Sequence, residues 1–206
     1  MVTEKIEATL EELFKDSKYD RLKMIKGAAK SILRSMEPLD FKDAYLSISK
    51  EQGQGLIKLI TDNKLKRIVE FGTSFGISTL FLAQGVLETG GRIITTELIA
   101  SKADKAIENF KRAGVSDLID VRVGDAVETL KNHNDSIDLL LLDGWKDLYL
   151  SIFQMLESKF HANTFIYVDN AEMVEAKAFI NVIRKNSKYQ LEPQFGGKVV
   201  LISLKK

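Results

Sequence analysis

The chain has 206 residues, 30 Lys and Arg against 29 Asp and Glu, 45% hydrophobic residues and no cysteine. At this length folding can bury roughly 70% of the chain's surface, so one core suffices and residues 1–206 read as a single domain. The near-neutral charge excludes a disordered polyelectrolyte and argues weakly against a dedicated nucleic-acid binder, and the absence of cysteine excludes disulfides, thiolate metal sites and cysteine catalysis.

The N-terminus, MVTEKIEATLEELF, mixes acids with apolar residues where a secretory signal would place a basic start and an apolar block, so a cytoplasmic location is expected. The densest apolar stretch, residues 137–142, falls far short of the ~20 that cross a bilayer, and no membrane contact is expected. Ile6, Leu10, Leu13 and Phe14 share one face at helical spacing, and Leu22, Ile25, Ala29, Ile32, Leu33 and Met36 repeat the pattern. Pro38 predicts the end of that second helix near Glu37, followed by a loop over residues 40–49. A third helix is expected from near Lys50, carrying Leu56, Ile57, Leu59 and Ile60. Residues 1–62 thus form an N-terminal helical part whose apolar stripes should pack beside the remainder, with a homodimer as a further use of them.

Residues 63–206 have a different rhythm, in which short apolar runs alternate with amphipathic stretches, the signature of βα units wound into a parallel sheet. The predicted strands are 67–71, 92–96, 119–123, 137–142 and 165–168, and the predicted helices 77–86, 100–113, 148–159 and 174–186. Residues 189–194 and 198–204 flank Phe195-Gly196-Gly197 as a terminal hairpin, so one of these two strands must run antiparallel to the sheet.

The stretch Val69-Glu70-Phe71-Gly72-Thr73-Ser74-Phe75-Gly76-Ile77-Ser78 is a strand, a glycine turn and a helix start. Gly72 allows a tight turn and close approach to a ligand, and Gly76 opens a helix whose N-terminal amides face it, with Ser74 and Ser78 beside them. The spacing Gly-x-x-x-Gly departs from the dinucleotide pattern Gly-x-Gly-x-x-Gly. An acid at Glu70 favours a ligand with a cationic amine or sulfonium, S-adenosylmethionine rather than NAD. Glu97 ends the second strand, where ribose hydroxyls are gripped, although a solvated carboxylate is an equal reading of that residue alone. Gly124, Asp125 and Ala126 follow the third strand on the same edge and suit an adenine edge.

Asp143 ends the fourth strand and Asp169-Asn170 the fifth. On neighbouring strands ~4.8 Å apart, Asp143, Asp169 and Asn170 can converge on one hard divalent cation such as Mg²⁺, although Asp143 alone reads also as a helix N-cap. Lys146, three residues after Asp143, can face the same pocket as a base. Trp145 is read as core packing or an aromatic wall, and His133 and His161 as surface residues.

Together Val69-Glu70-Phe71-Gly72-Thr73-Ser74-Phe75-Gly76, Glu97, Asp143-Gly144-Trp145-Lys146 and Asp169-Asn170 resemble the metal-dependent O-methyltransferases of the catechol and caffeoyl-CoA type, within the class I S-adenosylmethionine-dependent methyltransferases. The likeness runs from about Ser47 to the C-terminus, residues 48–54 being similar to the segment that closes over the cofactor. It implies a doubly wound, Rossmann-like α/β fold with seven strands, mostly parallel, the C-terminal one antiparallel. It also implies that Glu70 and Gly72 line the methionine of the cofactor, Glu97 its ribose and Asp125 with Ala126 its adenine. Asp143, Asp169 and Asn170 would hold a divalent metal, Asp143 also contacting the cofactor, and Lys146 would take the proton of a hydroxylated, vicinal-diol aromatic acceptor. The short segment after Asn170 departs from the longer loop of many relatives and puts phenolic acceptors in doubt. Some bacterial relatives methylate a hydroxyuridine of tRNA, for which Lys64, Lys66, Arg67, Lys111 and Arg112 are candidate contacts. A binding protein that keeps the fold without catalysis is the rival of a different class.

Overall fold

The computed structural model describes residues 1–17 and 48–205, so the expected helix over residues 22–36, its end at Glu37 and most of the expected loop 40–49 lie outside the described residues. In chain order come α1 (Val2–Ser17), α2 (Lys50–Asp62), β1 (Arg67–Phe71), α3 (Ile77–Thr89), β2 (Arg92–Glu97), α4 (Ala100–Ala113) and β3 (Ile119–Val123). There follow α5 (Ala126–Leu130), β4 (Ile137–Leu142), α6 (Tyr149–Leu156), β5 (Phe160–Val168), α7 (Val174–Arg184), β6 (Tyr189–Gln194) and β7 (Val199–Leu204).

The seven strands form one sheet in the order β3-β2-β1-β4-β5-β7-β6. Strands β1 to β5 pair in parallel, and β7 runs antiparallel to both β5 and β6. The expected hairpin is present, with β7 inserted between β5 and β6, and the fold is the expected mostly parallel α/β sheet. All six residues of β4 are buried, as a strand covered on both faces requires. Its one acid, Asp138, accepts the backbone N–H of Lys66 and Arg67 at 2.8 and 2.9 Å, the Arg67 guanidinium at 3.0 Å and a ring nitrogen of His161 at 2.9 Å. Burial opposes ionisation there, but these bonds outweigh it and hold Asp138 below the usual carboxylate range.

Two cores lie on either side of the sheet. One joins Ile6, Leu10 and Leu13 of α1 to Leu56 and Ile60 of α2, to α3 and to Ile68, Leu139 and Tyr167 of the strands. The other joins α6 and α7 to Val69, Leu140 and Ile166. Helix α3 is apolar all round because the sheet covers one side and α2 and α1 the other. Gly53 permits that close approach, since a Cβ there would lie 2.4 Å from the Phe81 ring. The strand order reverses between β1 and β4, and the crevice outside the carboxyl ends of the strands at such a point is where α/β sheets bind ligands.

Candidate functional site at the switch point

Backbone hydrogen bonds continue past the strand ends and lace the carboxyl edge together. Gly72 and Thr73 donate to Thr96 O at 3.2 and 3.0 Å, Gly124 to Glu97 O at 2.8 Å, Asp143 to Phe71 O at 3.0 Å and Asp169 to Leu142 O at 3.0 Å. Every loop predicted to bear on a ligand is therefore registered against its neighbour. Gly72 sits at φ +106, and a Cβ there would lie 2.7 Å from Asp143 O and Gly144 N, so only glycine lets the turn after β1 pass the turn after β4.

Glu70 is fully buried beneath that turn. Its Oε2 accepts the hydroxyls of Thr79 at 2.5 Å and Thr95 at 2.6 Å, and Thr95 in turn shares a 2.5 Å bond with Thr73. Thr95 is the cross-strand partner of Glu70, and Thr79 lies in the first turn of α3, so one carboxylate ties β1, β2 and α3 together. Burial raises its pKa, against the hydroxyls of Thr79 and Thr95 and the nearby hydroxyl of Ser78. Its Oε1 is buried without a hydrogen-bond donor among the described residues.

Glu97 is also buried, at 8% exposure, rather than solvated. Ser74, held at φ +49, donates its N–H to Oε2 at 2.8 Å, and Ile99 donates to Oε1 at 2.9 Å. Burial raises its pKa, opposed by these amides and by Lys102. Lys102 is itself buried, 3.5 Å from Ser74 Oγ and over the Phe75 ring. Gly76, at φ +88, caps α3 and faces the Phe110 ring. Asp125 caps α5 through Val127 N at 2.8 Å, and the methyl of Ala126 packs in the core.

At the ends of β4 and β5, Asp143 and Asp169 are buried together. Burial and the charge of Asp169 push Asp143 well above the usual carboxylate range, and burial raises Asp169 as well. Lys146 Nζ lies 3.9 Å from Asp143 Oδ1 and donates to Gly144 O at 3.0 Å. Gln52 Nε2 donates to Asp169 Oδ1 at 2.6 Å. Asn170 follows in the left-handed region at φ +53, ending the strand abruptly. Among the described residues no three His, Cys, Asp or Glu side chains gather as a metal group. A cation here would have two carboxylates and the Asn170 amide, all oxygen donors. Two carboxylates buried side by side fit such a guest, because it brings the positive countercharge that would let both stay ionised.

Asp143 does not cap a helix; the short 3₁₀ turn after it, Lys146–Leu148, starts from Trp145. Trp145 is half-buried, packs against the second core and donates its ring N–H to Asp147 at 3.1 Å. Of the two histidines read as surface residues, His133 is buried at 7% exposure, whereas His161 is half-exposed and bonded to Asp138. Lys64, Lys66 and Arg67 lie at the start of β1, the opposite edge of the sheet from Asp143 and Asp169, and Arg112 pairs with Glu12. Sequence reading missed Lys102 and the threonines around Glu70. It placed Gln52 only within the segment 48–54 that resembles a cofactor cover, not as a partner of Asp169, and the Ser-x-x-Gln of a capping box at residues 49–52 was a further signal there. Among the described residues no helix is long and apolar enough to cross a membrane.

The O-methyltransferase family profile matches residues 25–179. The chain is 33% identical over 126 residues to the catechol O-methyltransferase of Mycobacterium tuberculosis, covering 61% of this chain and 57% of that protein. It is 32% identical over 129 residues to the catechol O-methyltransferase of Niastella koreensis, covering 61% and 58%. The chain thus spans less than two thirds of the length of these curated relatives. In fold it is similar to the Bacillus cereus O-methyltransferase in complex with SAH, with a TM-score of 0.75 and 23% identity, covering 96% of this chain and 91% of that one. The SAH-bound Podospora anserina methyltransferase follows at a TM-score of 0.72 and 22% identity, covering 95% and 96%.

Proposed function

The chain belongs to the O-methyltransferase family, and we propose that it transfers a methyl group from S-adenosylmethionine to a hydroxyl of a small vicinal-diol aromatic, assisted by a divalent cation. The observation that carries this reading is the buried pair Asp143 and Asp169 at the switch point, set against a glycine turn that no side chain can fill. The acceptor class is supported by the names of the two catechol O-methyltransferases aligned above. In this reading residues 1–206 act as one domain.

S-adenosylmethionine supplies a methyl group made electrophilic by its sulfonium, and a cation at Asp143, Asp169 and Asn170 supplies positive charge that eases loss of the acceptor's hydroxyl proton. Glu70 Oε1, the buried acceptor without a donor, is assigned the cofactor's amino group, with Gly72, Ser74, Gly76 and Ser78 lining the same side. Glu97 is assigned the ribose hydroxyls, and Asp125 with the Ala126 backbone the adenine edge. Lys146 takes the acceptor's proton on Nζ; the ammonium so formed is neutralised by Asp143 and bonded by Gly144 O. The laced strand ends hold these groups in register, so alignment is built before ligands arrive.

Calorimetry with S-adenosylhomocysteine tests the cofactor half of the reading. Binding is expected for the wild type and should weaken in Glu97→Ala by ~1.5–3 kcal/mol, about 10- to 150-fold in Kd. No binding at roughly millimolar ligand would contradict the methyltransferase reading.

A further inference from the structure

Gln52 is the third residue of α2, and both ends of its amide are engaged. Oε1 accepts the Ser49 backbone N–H at 2.9 Å, while Ser49 Oγ accepts the Gln52 N–H at 3.2 Å. A backbone N–H can only donate, so the amide oxygen must face Ser49 and the nitrogen must face away. On that other side Nε2 donates to Asp169 Oδ1 at 2.6 Å, a buried contact across 117 positions of sequence. The helix start thus fixes which amide atom meets the carboxylate. This short bond engages one of the two carboxylate oxygens, while the Asn170 backbone N–H and Asp143 also bear on Asp169.

We propose that Gln52 is a positioning residue that makes Asp169 a one-oxygen ligand and so selects a small octahedral divalent cation over a larger one. The inference rests on the reading of Asp169 as a cation ligand. Mg²⁺ requires near-ideal octahedral geometry, whereas Ca²⁺ takes about 6–8 oxygens and readily accepts both oxygens of a carboxylate. With Oδ1 released, Asp169 would suit Ca²⁺ better. Partners that orient a metal ligand typically contribute about 10–100-fold to affinity.

The test is Mn²⁺ binding to the full chain, followed by the spin-resonance signal of the free ion, with Mg²⁺ and Ca²⁺ as competitors. Gln52→Leu removes the donor; Ser49→Ala removes the hydroxyl cap of α2 but keeps the Asp169 contact, so it controls for damage to the helix start. Gln52→Leu should weaken Mn²⁺ about 10–100-fold and raise the Ca²⁺-to-Mg²⁺ affinity ratio at least about tenfold, with Ser49→Ala within about twofold of wild type. Gln52→Met carries the same expectation if Gln52→Leu fails to fold. Wild-type binding with an unchanged selectivity ratio in the Gln52 variants would overturn this inference and leave the cation reading standing. Absence of Mn²⁺ binding by the wild type would overturn the cation reading, and this inference with it.

Discussion

Both carboxylate oxygens of Glu97 accept backbone amides, so its position is set from two sides by Ser74 and Ile99. Glu70 is held at one oxygen by two threonines, and Asp169 at one oxygen by Gln52. The acids were legible in the sequence because each lies at or beside the end of a strand-length run, but their holders were not. Thr79, Thr95 and Gln52 come from other elements, and single threonines or glutamines carry no periodic signal. The roles separate in space, which makes substitutions informative. Asp169→Ala should abolish cation-stimulated methyl transfer while leaving S-adenosylhomocysteine affinity within a few-fold of wild type, because Asp169 ends β5 and the assigned cofactor groups lie on β1 to β3. Lys146→Ala should keep Mn²⁺ binding and lose about 10²–10⁴-fold in rate, the usual contribution of a positioned base. Rates and Mn²⁺ titrations on the two variants check this; equal losses of cation affinity would contradict the assignment.

Among the elements, alternation of apolar runs with amphipathic stretches placed all seven strands and α4 to its ends, because burial on both faces leaves a continuous run and burial on one face leaves a stripe. Strand β5 begins at Phe160, five residues before the expected start. Its first part, Phe160 to Thr164, lacks a continuous apolar run: Phe160 packs against Phe153, buried Thr164 donates its Oγ1 to Ile137 O at 2.6 Å, and His161 meets Asp138. The five-residue helix α5 was not expected, being too short for a helical period to show. The expected helix over 148–159 is α6 flanked by 3₁₀ turns at 146–148 and 157–159. Helix α1 follows its stripe, with Ile6, Leu10 and Leu13 buried and α4 beside it, each side chain contributing about 1.5–3 kcal/mol.

Over the whole molecule, Glu70, Glu97, Asp143 and Asp169 share one property: each holds its proton to higher pH when folded. Above about pH 4, where the unfolded chain has released these protons, the folded state binds more of them, so stability falls as pH rises through the folded values. Asp138, held below the usual range, acts oppositely and loses its contribution as pH falls. In chelator the denaturation midpoint should therefore be lower at about pH 8 than at about pH 5, just above the unfolded pKa values, and Mg²⁺ should restore more at the higher pH, since a cation replaces bound protons. Urea titrations at the two pH values check this, and a flat profile would contradict the raised pKa values. The central claim is tested most directly by the initial rate of methyl transfer from labelled S-adenosylmethionine to catechol, measured against Mg²⁺ concentration. The account predicts transfer that rises to saturation with Mg²⁺ and disappears in chelator; transfer indifferent to Mg²⁺ and to chelator, or none to any vicinal diol while S-adenosylhomocysteine binds, would contradict it.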